Sequence, residues 1–279
     1  MYDEGFKELA AALTHTARSA GELILRYRGQ TPEVTLKGDG SPVTHADRTA
    51  EELILNDLAR IAPGVTAIGE ESVAVVPEGF NPDDPFFLID PLDGTKEFVR
   101  GGKEFTVNIA LVKDRKPVFG LIYAPELQVL YVTLSPTEAV CARLAPERGE
   151  TLDALQTHPL RTRDPGADRL KVLVSRSHSN AATERYVAGL GPHDTVELGS
   201  SLKLAVLADG GADIYPRFGP TSEWDIAAGH AILNAAGGVL LTADGQPFLY
   251  GKKETNLLNP DFIAFGREAT RERVGMAKV

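Results

Sequence analysis

The chain has 279 residues, 43% hydrophobic and 24% charged, an ordinary globular balance with enough length to bury a sizeable core as one large domain or two lobes. A formal net charge of −10 argues against a nucleic-acid polymer or an anionic membrane surface as main partner, but not against a small phosphorylated ligand met by a metal and a few local cations. Cys141 is the single cysteine, so there is no internal disulfide and no thiolate metal cluster, and no stretch approaches the roughly 18 apolar residues of a transmembrane helix.

The first residues, MYDEGFKELAAALTH, are acidic and amphipathic and do not read as a signal peptide, so the expectation is a soluble cytoplasmic protein, with loose attachment to the inner membrane left open. Phe6, Leu9, Ala10, Leu13, Ala17, Ala20, Ile24 and Tyr27 recur at helical spacing and predict a long amphipathic helix ending near Gly29. Residues 35–42 (TLKGDGSP) read as a loop. Thr44-His45-Ala46-Asp47 resembles a capping box ahead of a second helix, which gives Asp47 a structural use by itself. Ala67-Ile68 leads into Gly69-Glu70-Glu71-Ser72, which alone reads as a solvated loop.

Phe86-Phe87-Leu88-Ile89 is a buried strand that ends abruptly in Asp90, and Asp93-Gly94 follows as a turn dipeptide. Two carboxylates at the mouth of a buried strand are costly unless a cation offsets them. A hard divalent ion with oxygen ligands would do so, and Gly94 and Thr95 would then offer backbone N–H groups and a hydroxyl to an anion beside it. An Asx-turn followed by a tight turn accounts for the same residues without any ligand.

From Phe105 to Arg143 the apolar residues alternate at hairpin spacing and predict an antiparallel meander. Residues 144–168 are polar and Pro-containing, and mark the expected division into a metal-binding α+β lobe (1–155) and an α/β substrate-specificity lobe (156–279). Strands are predicted over 170–175, 196–198, 212–215, 239–242 and 262–265, with helices over 180–190, 201–208 and 225–236. The last of these helices is almost entirely small residues and suits close packing of its backbone. Asp225 at its start could simply compensate the helix dipole or could deliver a ligand into a cleft, and His230 reads as a core contact.

The motifs GEES (69–72), DPLDGT (90–95) and WDIAAGHAILNAAGG (224–238), in this order and spacing, resemble the lithium-sensitive, Mg²⁺-dependent phosphatases of the inositol monophosphatase superfamily. KEFxxxxxEFTVNIALV (96–112), PVFGLIYAP (117–125), VSRSH (174–178), GSSLK (199–203) and YPRFGPTSEWD (215–225) make the chain most similar to its bacterial CysQ-type 3'(2'),5'-bisphosphate nucleotidases. The resemblance covers about residues 35–265 and is thin over 144–168.

It implies a layered α-β-α-β-α sandwich and a soluble hydrolase, monomer or homodimer, acting in sulfate assimilation on a small nucleotide. Glu70, Asp90, Asp93 and Asp225, with the Leu92 carbonyl, match the family's ligands for two or three Mg²⁺ ions. Asp47 and Thr95 match the pair that accepts a proton from the attacking water. Leu92, Asp93, Gly94 and Thr95 match the segment holding the scissile phosphate, with Glu70 and Asp225 also beside the substrate. Ser200, Lys203 and Arg217 match the nucleotide-binding positions, with His178 nearby. The implied reaction releases phosphate from 3'-phosphoadenosine 5'-phosphate to leave AMP. The alternatives are an inositol or sugar phosphate phosphatase and a non-catalytic, metal-dependent phospholigand sensor; Asp47 and Thr95 argue against the sensor, since binding alone needs no proton acceptor.

Overall fold

A computed structural model describes residues 2–28, 35–36, 42–72, 76, 78–145, 151–166, 168–177 and 180–276. The expected long helix is α1 (Tyr2–Tyr27), and the ends of the 35–42 loop pair as two-residue strands, β1 (Thr35–Leu36) and β2 (Pro42–Val43). In α2 (His45–Ile61) the predicted capping box forms: Thr44 N donates to Asp47 Oδ2 at 2.8 Å and Ala46 N donates to Thr44 Oγ1 at 3.2 Å.

Seven strands build the first sheet. β3 (Thr66–Gly69) lies parallel to β4 (Phe86–Asp93). The five-residue helix α3 (Thr95–Val99) follows β4, and the sheet continues as an antiparallel meander through β5 (Thr106–Lys113), β6 (Lys116–Ala124), β7 (Val129–Ser135) and β8 (Glu138–Arg143). A seventh strand, β9 (Thr157–Pro159), pairs with β8. It falls beyond the expected division at 155/156 yet belongs to the first sheet. The chain reads as polar there because all three of its residues are exposed at the sheet edge. Among the other described residues of this stretch, Leu144 and Leu160 are buried, and Arg163 forks onto the buried Asp213 at 2.7 and 2.6 Å.

The second sheet is mixed, in the order β11-β10-β12-β14-β13. It comprises β10 (Leu170–Ser175), β11 (His193–Leu198), β12 (Ile214–Arg217), β13 (Val239–Thr242) and β14 (Phe262–Phe265), interleaved with α4 (Ala181–Ala188), α5 (Leu202–Ala208), α6 (Glu223–Ala235) and α7 (Glu268–Val274). Helices α1 and α2 cover one face of the first sheet, α5 and α6 fill the space between the sheets, and α4 and α7 close the far face of the second. That is the five-layer α-β-α-β-α order. Among the described residues no helix is long and apolar enough to cross a membrane.

Central strands of the first sheet are apolar on both faces: Val107 and Ile109 of β5 pack toward α1 and α2, while Ala110 and Val112 pack toward α6. The small-residue helix α6 sits close to this sheet because Ala110 is paired with Gly120, whose missing side chain makes room for the Ala228 carbonyl. His230 is a core contact, buried 3.0 Å from the Tyr250 hydroxyl, and burial pushes its pKa down to about 3.

Candidate active site

Strand β4 does not stop at Asp90. Asp90 pairs with Asn108 and Asp93 with Thr106, so three steps along β4 match two along β5. This is a bulge at Pro91-Leu92, a place where proline's missing N–H costs no ladder bond. In a regular strand residues three apart face opposite sides. The extra residue reverses that alternation, and Asp90 and Asp93 stand opposite two positions of the same face of β5. The bulge lets one strand aim two carboxylates into one cleft.

Glu70 comes off the end of β3 beside Asp90, since β3 and β4 are parallel and Glu70 N donates to Ile89 O at 3.1 Å. The turn carrying Glu70 is fastened from behind by the buried Glu51 of α2, which accepts from Glu71 N at 2.8 Å and occupies space that only Gly69 leaves open. Asp225 arrives from the other side, in the first turn of α6, where one oxygen accepts from Ser222 N at 2.8 Å. Both readings of Asp225 are thus met in one side chain: it caps its helix and it faces the cleft.

Ligand oxygens of Glu70, Asp90 and Asp225 lie within 4.8 Å of one another. Burial first, then repulsion from neighbouring carboxylates, pushes Asp90 and Asp225 well above the ordinary carboxylate range. Asp93 is pushed up to about 6 by burial, moderated by the positive charge of Lys203 and by Ser201 N, which donates to Asp93 Oδ2. A buried, all-oxygen, mutually repelling donor set of this kind fits a hard divalent cation, whose charge would return the carboxylates to their ionised form.

Asp47 is 2% exposed, with one oxygen held by Thr44 and the other accepting from Thr95 Oγ1 at 3.0 Å. Its structural reading as a capping carboxylate and its contact with Thr95 therefore coexist. Thr95 Oγ1 also lies 3.1 Å from Leu92 O. Gly94 takes φ of +92°, and a side chain there would press on the Glu104 carbonyl at 2.9 Å, so glycine is required on both counts.

The far wall comes from the second sheet. Lys203, in the first turn of α5, is 6% exposed, and burial lowers its pKa to about 8, with Arg217 adding to the effect. Arg217, at the end of β12, donates to Pro220 O at 3.1 Å. Between the walls runs a stitch that sequence reading missed. Ser201 Oγ lies 2.8 Å from both Asn108 Oδ1 and Thr106 Oγ1, and Gly199 N donates to Glu104 Oε2 at 2.7 Å. Ser201 lies in the GSSLK motif, but its role carried no sequence signal, because its partners lie more than ninety residues away.

All five expected metal ligands, together with Gly94, Thr95, Ser200, Lys203 and Arg217, line one cavity of about 390 Å³. Asp47 reaches it through Thr95, and His178 lies outside the described residues. Glu97 also lines the cavity, accepting from Ser177 Oγ at 2.5 Å.

The model of the inositol monophosphatase family matches residues 6–271. The chain belongs to that family. Membership makes it a phosphatase and accounts for the five layers. Over 251 residues it is 40% identical to the 3'(2'),5'-bisphosphate nucleotidase CysQ of Escherichia coli K12, covering 88% of this chain and 95% of the relative. The crystal structure of CysQ from Bacteroides thetaiotaomicron, a bacterial member of the family, superposes with a TM-score of 0.77 at 38% identity, over 93% of this chain and 97% of that one. The inositol monophosphatase of Zymomonas mobilis shares the fold, with a TM-score of 0.73 at 24% identity over 98% and 97% of the two chains.

Proposed function

We propose that this phosphatase is a cytoplasmic bisphosphate nucleotidase that hydrolyses the 3'-phosphate of 3'-phosphoadenosine 5'-phosphate, giving AMP and phosphate, with Mg²⁺ held by Glu70, Asp90, Asp93, Asp225 and the Leu92 carbonyl. The observation that carries the substrate class is the pair of cations, Lys203 and Arg217, lining the same cavity as the Glu70–Asp90–Asp225 cluster. A nucleoside bisphosphate brings these cations a second phosphate, which a substrate with one phosphate does not. The names of the CysQ relatives support the same class.

Bound cations would neutralise phosphate charge and acidify the attacking water. The chain's own groups do the rest. Gly94 and Thr95 offer backbone N–H groups to the scissile phosphate. Thr95 Oγ1 takes a proton from the water as it passes its own to Asp47, whose pKa is raised by burial and which is therefore a better acceptor than an exposed carboxylate. Lys203 and Arg217 hold the phosphate that is not cleaved, Arg217 as a fork and Lys203 as a point charge. Lithium would compete for the same oxygen ligands.

Arg217→Ala tests the assignment. The lost contact exists in ground and transition states alike, so it raises KM more than it lowers kcat. A charge-assisted contact contributes about 1.5–3 kcal/mol, so kcat/KM for phosphoadenosine phosphate should fall roughly ten- to a hundredfold. Inositol 1-phosphate, offering Arg217 no partner, should be spared. An equal fall for both substrates would place Arg217 at the metal–phosphate site and remove the support for a bisphosphate.

A further inference from the structure

One leucine is left half in water beside the polar active site, directly after two residues in left-handed backbone. Leu258 is 47% exposed and lines the cavity together with Pro220, Thr221, Ser222 and Trp224. The two residues before it, Asn256 and Leu257, both take left-handed backbone, with φ of +51° and +62°. For a leucine that conformation is strained, and strain of this kind persists only where the surroundings enforce it.

The enforcement is visible. Leu257 is fully buried, and its carbonyl accepts from Glu223 N at 2.9 Å. Thr255 Oγ1 donates to Leu258 O at 2.9 Å, and Asn259 clamps the other side, through its backbone N–H to Thr221 O at 2.8 Å and its amide to Ser222 O at 2.7 Å. Leu258 is bridged to Ser222, the residue that caps α6 three positions before Asp225. The segment is therefore fixed to the same helix start that delivers Asp225, with Leu258 left facing the cleft.

From this geometry we infer that Leu258 is a specificity-determining residue, the apolar surface against which the nucleobase of the substrate packs. The inference rests on the bisphosphate nucleotidase reading and adds to it the part of the site that meets the base. The chemistry separates the candidate substrates. A polyol ring is rimmed with hydroxyls that lose water against a leucine and gain no hydrogen bond. A purine presents a flat face that gains by leaving water against Leu258 and the nearby Pro220 and Trp224.

The test compares 3'-phosphoadenosine 5'-phosphate with ribose 3,5-bisphosphate, which carries both phosphates and no base, in the wild type, Leu258→Ser and Leu258→Met. Because the side chain is half exposed, thermal unfolding should be unaltered. The ratio of kcat/KM for the nucleotide to that for the base-free sugar should fall roughly fivefold in Leu258→Ser, through KM, and be kept by Leu258→Met. If the wild type uses neither bisphosphate better than inositol 1-phosphate, the nucleotidase reading itself fails. If the wild type prefers the nucleotide and Leu258→Ser leaves the ratio unchanged, the role of Leu258 alone is overturned.

Discussion

Asp90→Asn is expected to cut turnover by orders of magnitude and, at the same time, to make the metal-free protein more stable. Asp90 is buried with Glu70, Asp93 and Asp225 around it, and its pKa is raised well above 3.8. A carboxyl whose folded-state pKa is raised contributes stability below the unfolded value, and that stability is lost as pH rises through the folded one. Above the unfolded value the metal-free wild type therefore carries a cost from this cluster that grows as pH rises. An asparagine keeps the oxygen that accepts from Leu92 N at 3.0 Å while removing the charge. In EDTA at pH 7.5 the variant should melt several degrees above the wild type, the difference shrinking as pH falls toward 4.

Added Mg²⁺ reverses the order. A cation at a hundred times its dissociation constant stabilises the wild type by about 2.7 kcal/mol, whereas the variant has lost a ligand and should respond far less. Differential scanning calorimetry with and without metal, beside a phosphate-release assay, checks both halves. A variant that melts below the wild type in EDTA would mean that Asp90 is a structural anchor rather than a metal ligand.

Asp47→Asn should separate chemistry from binding. The amide oxygen can keep the two Thr44 donors, which preserves the cap of α2, and the NH₂ group then turns toward Thr95. Thr95 Oγ1 becomes an acceptor from residue 47, and its proton has no carboxylate to go to. General-base loss costs about 10²–10⁴ in rate. Calorimetry should still show Mg²⁺-dependent nucleotide binding by the variant; its disappearance would make Asp47 a ligand or a purely structural cap.

The parts of the site that were legible in the chain are those encoded locally. The cap at Thr44 and Asp47, the apolar run into Asp90 and the small-residue helix after Asp225 each declare themselves within a few residues. The bulge at Pro91-Leu92 was read only as the end of a strand, because it exists by reference to β5. Ser201, Glu104 and Asn108 fall within motifs that carry the resemblance, but their roles gave no signal, since their hydrogen bonds join segments that meet only when the two sheets pack. The edge strand β9 and helix α7 are polar and mostly exposed, so no periodicity marked them. Leu258 escaped notice for the opposite reason: a lone leucine in a loop is ordinary until the cavity beside it is known.

The most direct test of the account is phosphate release by the purified wild type from 3'-phosphoadenosine 5'-phosphate and from inositol 1-phosphate, each with Mg²⁺ and again after exhaustive chelation. Two cations lining the cavity beside an acidic cluster should give kcat/KM at least tenfold higher for the bisphosphate, consistent with a charge-assisted contact of about 1.5–3 kcal/mol, and no activity on either substrate without metal. Equal or better use of inositol 1-phosphate, or turnover that survives chelation, would contradict it.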